Sequence, residues 1–323
     1  MATVTQAAAV PAQRRRRRRG NQRRFTLALM APAMIGLIVF FVYPLFATFY
    51  FSFTRFDLLS SPQWVGLRNY KYFFTEDPVV WQALRNTLWL VVVMVPCRIL
   101  FALGTAGIVT QIKRRAGLLR TLFYLPALAP PVAATVAFVF LFNPAVGPVN
   151  QVLGFAHLSQ PGWFGDSTWS KPALVLLGLW GIGDIMIIFL ASLLDVPQDQ
   201  YEAASLDGAN GLQRFRYVTI PSIKPVLLFA TITGVIDMLQ YFTQATVAAQ
   251  VASGQANNGA GTATTLGYPN GSTLTFSQWL YQEGFTNFYL GYASAMSVLM
   301  FLIAIGFIVF LLRRSGSFRG AEA

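Results

Sequence analysis

The sequence predicts an all-α polytopic membrane protein with six transmembrane helices. Of its 323 residues, 55% are hydrophobic and only 11% are charged, where a soluble domain carries about a quarter charged residues. Several apolar runs reach the roughly 20 residues that a helix needs to cross hydrocarbon. The runs are continuous rather than alternating, which argues against a β-barrel. Mean hydropathy is +0.52.

Taken in order, residues 1–24 hold six consecutive arginines, Arg14 to Arg19, and the pair Arg23–Arg24. Such a block is expected to form a disordered basic arm. The run Leu27–Phe51 is too long for the apolar core of an export signal, and no small-residue cleavage site follows it, so it is read as the first span. A polar connection, Arg55–Arg85, leads to span two, Asn86–Thr110. The short basic stretch Gln111–Arg120 precedes span three, Thr121–Phe142, which carries Pro126, Pro130 and Pro131. After the loop Asn143–Pro172 come span four, Ala173–Leu194, a polar stretch at 195–224, and span five, Pro225–Ala248. A long loop rich in Gly, Asn, Thr and Ser, 249–288, separates span five from span six, Tyr289–Leu312. A basic tail at 315–323 closes a membrane domain of residues 25–314.

The charge of +12 is read as topology. With the N-terminus in the cytosol, the arm, the loop after span two, the loop after span four and the tail carry 8, 4, 3 and 3 basic residues, or 18 of 24. This positive-inside asymmetry predicts that both termini are cytosolic. Because the basic residues flank spans, a nucleic-acid partner is not expected. Cys97 has no partner for a disulfide, and His157 is the single histidine, so no metal site is expected.

The cytosolic stretch Glu202–Pro221 reads EAASLDGANGLQRFRYVTIP. Glu202, Ala203 and Ala204 favour a helix, and Asp199 and Glu202 sit where negative charge suits its start. Gly208 permits a sharp turn. A second amphipathic helix is expected over Asn210–Val218, with Leu212, Phe215 and Val218 on one face and Pro221 and Pro225 as its stop. Read from composition alone, this is equally a surface hairpin with no partner.

The spacing Glu202-Ala203-Ala204, three residues, Gly208, nine residues, then Val218-Thr219-Ile220-Pro221 resembles the EAA motif of ABC importer permeases. Tyr43-Pro44, Ser52-Phe53-Thr54, Val65-Gly66-Leu67-Arg68-Asn69-Tyr70, Asn86-Thr87, Trp180 and Gly291-Tyr292-Ala293-Ser294-Ala295 resemble its carbohydrate-uptake branch, the maltose-type and glycerol-phosphate-type first permeases. The resemblance implies the type I importer permease fold. It also implies that Glu202, Ala203, Ala204, Asp207, Gly208 and Pro221 belong to a coupling element docking into an ATPase subunit. The chain departs from the family pattern after span five, where the usual Gly-Gly-Pro is replaced by the long loop Gln250–Gln278.

Ionisable residues inside spans are functional-site candidates. Three occur: Arg98, Asp184 and Asp237. At about 1.5 Å per residue, Asp184 and Asp237 lie near mid-membrane. Arg98 is expected either to pair with one carboxylate and tie helices together or to serve the substrate path. Thr233, Asp237, Gln240, Tyr241 and Gln244 recur at helical spacing, either as a sugar-binding face of carboxylate, amide and phenol groups or as a polar seam against a partner subunit. Counting from Pro197 and Pro221, the resemblance implies substrate contacts at Gly181, Asp184, Gly234, Asp237, Met238, Tyr241 and Thr243. Two carboxylates beside one path favour a neutral sugar over a phosphate ester.

The expected function is that of a non-catalytic subunit forming half of the path for a mono-, di- or oligosaccharide, with glycerol-phosphate-type or polyol cargo as the alternative. The implied partners are a second permease, a cytosolic ATPase dimer that binds ATP and Mg, an extracytoplasmic substrate-binding lipoprotein and bacterial cell-membrane lipid. No Gly-x-x-x-x-Gly-Lys-Ser/Thr loop occurs in the sequence, so no cofactor is expected on this chain. Two rival classes are a membrane-embedded glycosyltransferase using Asp184 or Asp237 and a self-sufficient secondary transporter. The first would need its carboxylates in an interfacial loop. The second would be expected to show an internal repeat, and none relates the two halves.

Overall fold

A computed structural model describes residues 13–112, 116–254 and 265–315, with side chains from Phe25 onward. Lys113, Arg114 and Arg115, the middle of the long loop and most of the basic tail lie outside the described residues. The described chain is mostly helical.

Helix α1 (Gln13–Leu37) begins inside the basic arm. Half of the stretch expected to be disordered is therefore helical, because arginine is a good helix former and the apolar turns beyond it propagate backward. A π-helical turn, Ile38–Val42, leads into α2 (Tyr43–Phe51). Phe25–Phe51 is one continuous apolar helix of 27 residues, and none of its most apolar stretch is covered by the rest of the chain. Only its end, α2, packs on the final helix.

A two-stranded antiparallel ribbon of β1 (Thr54–Arg55) and β2 (Gln63–Trp64) follows, then α3 (Arg68–Thr75). The residues of the 65–70 motif are structural here. Gly66 takes a positive φ of 60°, a conformation that favours glycine. Asn69 donates to the Ser52 and Thr54 carbonyls at 2.9 Å, and Tyr70 donates to the Ser52 hydroxyl at 2.8 Å.

Helix α4 (Val80–Gln111) starts six residues before the expected Asn86. The reason is Asp77, whose carboxylate accepts from the Val79 and Val80 amides at 2.8 and 3.0 Å and so satisfies the first orphan donors of the helix. With 32 residues, α4 is about 48 Å long at 1.5 Å per residue and forms the central post of the fold. Cys97 on this helix is half-buried among apolar neighbours.

Span three is not one helix. It consists of α5 (Ala116–Tyr124), a 3₁₀ turn over Leu125–Leu128 and α6 (Pro131–Leu141), bent by 97°. Pro126 opens the turn, and Pro131 holds Pro130 in an extended conformation (ψ 131°), as expected for a residue before proline. After α7 (Pro148–Phe155), span four is likewise broken into α8 (Ser170–Trp180) and α9 (Gly183–Leu194), bent by 51°. Gly183 lies directly on the Phe123 carbonyl, and a Cβ there would stand 2.6 Å from the Tyr124 Cα.

The polar stretch then folds into α10 (Gln198–Leu206), α11 (Gly211–Arg214), a π turn over Phe215–Thr219 and α12 (Ile220–Ser222). Span five is α13 (Lys224–Leu239) and α14 (Thr243–Ala252), separated by Gln240–Phe242. In the long loop, a capping box between Thr275 and Gln278 starts α15 (Phe276–Tyr281), an element the loop's composition did not predict. Helix α16 (Leu290–Ser315) ends the described chain.

Three described helices are long and apolar enough to cross a membrane, or up to six spans if each bent pair counts as one. The long loop caps one end of α4: Asn86 donates to the Gly271 and Leu274 carbonyls at 2.8 and 2.9 Å, and Thr87 accepts from the Phe276 amide at 2.8 Å. Asp77 joins the same cap by accepting from Trp279 and Tyr292 at 2.8 and 2.6 Å. The polar hairpin of α10–α12 lies at the other end, where Thr110 and Gln111 share a cavity with Tyr201 and Phe215.

Candidate functional site

Two sites stand out, one on the hairpin and one midway along α4. In the hairpin, Gly208 takes a φ of +78° with nothing within 4 Å of where a Cβ would sit. Its role is therefore conformational: it reverses the chain between α10 and α11. Asn210 and Gln213 form a capping box, each side chain accepting from the other's amide at 2.9 and 2.8 Å. Cross-links hold the two arms together. The Tyr201 and Thr219 hydroxyls lie 2.9 Å apart, and Arg214 donates to the Ser205 hydroxyl at 3.1 Å.

The second helix differs from the expected Asn210–Val218. Pro221 does not stop it: the helical run continues from Gly211 through the π turn to Ser222, with Pro221 inside it. The 70° bend falls instead between Ser222 and Lys224. Glu202, Ala203, Asp207 and Gly208 are exposed, while Ala204 is half-buried against the hairpin. Around them Leu206, Leu212 and Tyr217 are 90%, 76% and 69% exposed. A hairpin cross-linked within itself yet presenting three large apolar side chains outward has a surface suited to a partner.

The second site is a cavity of about 380 Å³ halfway along α4, within the size range of small-ligand sites. It forms where the breaks in spans three, four and five converge. Pro126 and Ala129 come from the first break, Trp180 and Gly181 from the second, and Gln240, Tyr241 and Phe242 from the third. Non-helical backbone at membrane depth is tolerated where it is buried in protein or lines a cavity.

Of the expected path residues, the cavity brings together Arg98, Gly181, Asp237, Met238, Tyr241 and Thr243. It does not include Asp184 or Gly234. Asp184 is exposed in the first turn of α9. Gly234 faces α4, where an added Cβ would stand 3.1 Å from Val95 Cγ1, so it permits close helix packing. The single five-residue helical face read for span five is also interrupted, since the helix ends at Leu239. Gln240, Tyr241 and Gln244 still line the cavity with Asp237, by way of the break.

Arg98 Nη1 lies 3.9 Å from Asp237 Oδ2. That is an ion pair beyond hydrogen-bond reach. It links α4 to α13, so Arg98 pairs with the span-five carboxylate rather than with Asp184. Arg98 Nε and the Tyr241 hydroxyl are buried without a hydrogen-bond partner among the described residues. Trp180 is 41% exposed and packs against Phe138 at 5.4 Å between ring centroids, which leaves an aromatic face toward the cavity. The contributions of Trp180 and span three were not singled out for this site from sequence. The three prolines of span three were the available signal for a break there.

Outside the spans, burial raises the Glu283 carboxyl above its ordinary pKa. The hydrogen bond that Glu283 Oε1 accepts from Asn287 at 2.9 Å works against this, and neighbouring Asp77 adds to it. Tyr72, in the same cap, is raised by burial and then by Asp77. Among the described residues no cluster of His, Cys, Asp and Glu could hold a metal ion.

Residues 98–315 match the family described as "Binding-protein-dependent transport system inner membrane component". The chain is 35% identical over 295 residues to the probable ABC transporter permease protein YesP of Bacillus subtilis (strain 168), covering 90% of each. It is 33% identical over 282 residues to the lactose transport system permease protein LacF of Rhizobium radiobacter, covering 85% of this chain and 89% of that one. Its fold is similar to a chain in the crystal structure of a bacterial ABC transporter involved in the import of the acidic polysaccharide alginate. There the TM-score is 0.74 at 21% identity, over 93% of this chain and 98% of that one.

Proposed function

Because the chain belongs to the family of binding-protein-dependent transport system inner membrane components, we propose that this ABC importer permease forms half of a translocation path for a sugar. In this reading the chain crosses the bacterial cell membrane six times, with both termini in the cytosol. A second permease supplies the other half of the path, and a binding protein delivers cargo at the end of α4 capped by the long loop. A separate cytosolic ATPase pair binds ATP and Mg. Family membership supports a transporter over the glycosyltransferase and the secondary transporter. The transport-system name of LacF supports a sugar as cargo.

One observation carries the mechanism. The hairpin that exposes Leu206, Leu212 and Tyr217 continues directly into α13, and α13 carries Asp237 on the wall of the cavity. A partner that grips Glu202–Pro221 therefore holds the helix that lines the path. ATP-driven movement of the ATPases would swing α13 and alternate access to the cavity. Within the cavity, Trp180 offers a ring face to a pyranose, while Asp237, Gln240 and Gln244 meet its hydroxyls.

The test is sugar uptake and sugar-stimulated ATP hydrolysis by the complete importer in vesicles. Glu202→Ala and Gly208→Pro are expected to uncouple hydrolysis from sugar. Unchanged stimulated turnover in both would sink the coupling role, and uptake by this chain without an ATPase would return the secondary-transporter reading.

A further inference from the structure

We infer that Arg98 selects cargo bearing an anionic substituent, a saccharide with a carboxylate, sulfonate or phosphate group, and binds that group in the cavity. The inference rests on the sugar-import reading and names the class of sugar.

Arg98 is 14% exposed, so its guanidinium is nearly enclosed. Asp237 faces it at 3.9 Å with its own side chain 60% exposed. The carboxylate thus reaches into the open cavity and makes no hydrogen bond to the guanidinium. Arg98 Nε–H and the Tyr241 hydroxyl are both buried and without a hydrogen-bond partner among the described residues, and both residues line the cavity. An unpaired buried donor carries a desolvation penalty, larger when it is charged.

Two unpartnered donors on residues that line one cavity call for an accepting ligand group, and an anionic oxygen pair fits a guanidinium better than a neutral hydroxyl does. The charge balance permits it. Asp184, the second carboxylate that argued from sequence for a neutral sugar, does not border the cavity. Asp237 is then the one carboxylate among the residues that line the cavity, and its exposed side chain is free to turn toward the sugar hydroxyls.

The complete importer, with its binding protein, is reconstituted in vesicles, and uptake of digalacturonate is compared with uptake of neutral galactobiose. Arg98→Gln is expected to lower the acidic-to-neutral uptake ratio about tenfold or more, the loss of one charged hydrogen-bonding partner. Arg98→Lys should lower it less, and Asp237→Asn should raise it. A purely structural Arg98 would depress both probes by the same factor, and that unchanged ratio overturns the inference. If Arg98→Gln fails to assemble on size-exclusion chromatography, the ratio is read from Arg98→Lys and Asp237→Asn, and no change in either overturns it.

A sulfonated and a phosphorylated monosaccharide, run in parallel, identify which anion is carried. A wild-type importer that takes up galactobiose but none of the anionic probes overturns the inference and leaves sugar import standing. An importer that takes up neither kind of sugar overturns both.

Discussion

Gly208→Ala isolates the conformational part of the coupling proposed for the hairpin. Gly208 has a φ of +78° and no atom within 4 Å of a built Cβ. The substitution therefore adds no clash, and its whole effect is the cost of holding an L-residue in the left-handed region, roughly 1–2 kcal/mol. Nothing in the turn offsets this, because the capping box at Asn210–Gln213 and the Tyr201–Thr219 contact both require the reversal to be made. A penalty of that size lowers the ratio of the reversed hairpin to its alternatives by a factor of about 5–30. Affinity of the permease for the proposed ATPase partner, measured by titration in detergent, should weaken by up to the same factor. Gly208→Asn should lose much less, because asparagine visits the left-handed region readily. Gly211→Ala is the control: this glycine opens α11 and also has open space around it, but without a positive φ. Equal affinities for the alanine and asparagine variants at position 208, or a Gly211→Ala loss matching that of Gly208→Ala, would refute the argument.

Other contacts give two further expected outcomes. Gly183→Ala would drive a methyl into the Phe123 carbonyl and to 2.6 Å from the Tyr124 Cα; the overpacking should cost about 1–3 kcal/mol and lower the detergent melting temperature, whereas Gly181→Ala, with nothing within 4 Å, should leave it unchanged. Glu283 is held above the ordinary carboxyl value of 4.5, mainly by burial, so the folded state favours its protonated form. Its contribution to stability is complete below about 4.5 and lost as pH rises through the raised folded value. Melting temperature followed over that window should therefore fall in the wild type, and Glu283→Gln should flatten that part of the profile.

The long apolar helices were legible because hydrocarbon thickness imposes a length on any apolar run, and the turn at Gly208 was legible because glycine adopts that φ at the least cost. Continuity inside the spans was not. Hydropathy sums composition over a window and does not register whether the backbone stays helical within it. Pro126, Pro130 and Pro131 marked one break. The breaks at Gly181–Ile182 and Gln240–Phe242 carry no proline, and they border the cavity, where non-helical backbone is tolerated. The cost of missing them was specific. Treating span five as one helix placed Tyr241 on a continuous face with Thr233, whereas the break places Tyr241 in the cavity that Arg98 also lines. Asp184 illustrates the converse: its depth in the membrane was read from residue counts, but depth alone does not say which way a side chain points.

The positions of the breaks also limit how motion can travel. Between the bend at Ile223 and the break at Gln240, α13 is an unbroken helix of 16 residues, about 24 Å long at 1.5 Å per residue. A helix of that length, packed closely on α4 through Gly234 and Val95, moves as a rod. The bend beside the hairpin and the break beside the cavity are then its two soft ends. Displacement of the hairpin reaches Asp237 with little loss along α13 itself, and its effect on the cavity depends on the break. If Gln240–Phe242 flexes, α14 stays with α6, against which it packs, and Asp237 moves relative to Tyr241 within one cavity. Because Arg98 sits on α4, outside this lever, the 3.9 Å separation between Arg98 and Asp237 is the distance that such a movement changes first. A spin-label or fluorophore pair placed on α4 and α13 at that depth should report two distances when the importer is trapped with and without ATP. A single unchanged distance would mean that α13 and α4 move as one body, and that the path is gated elsewhere.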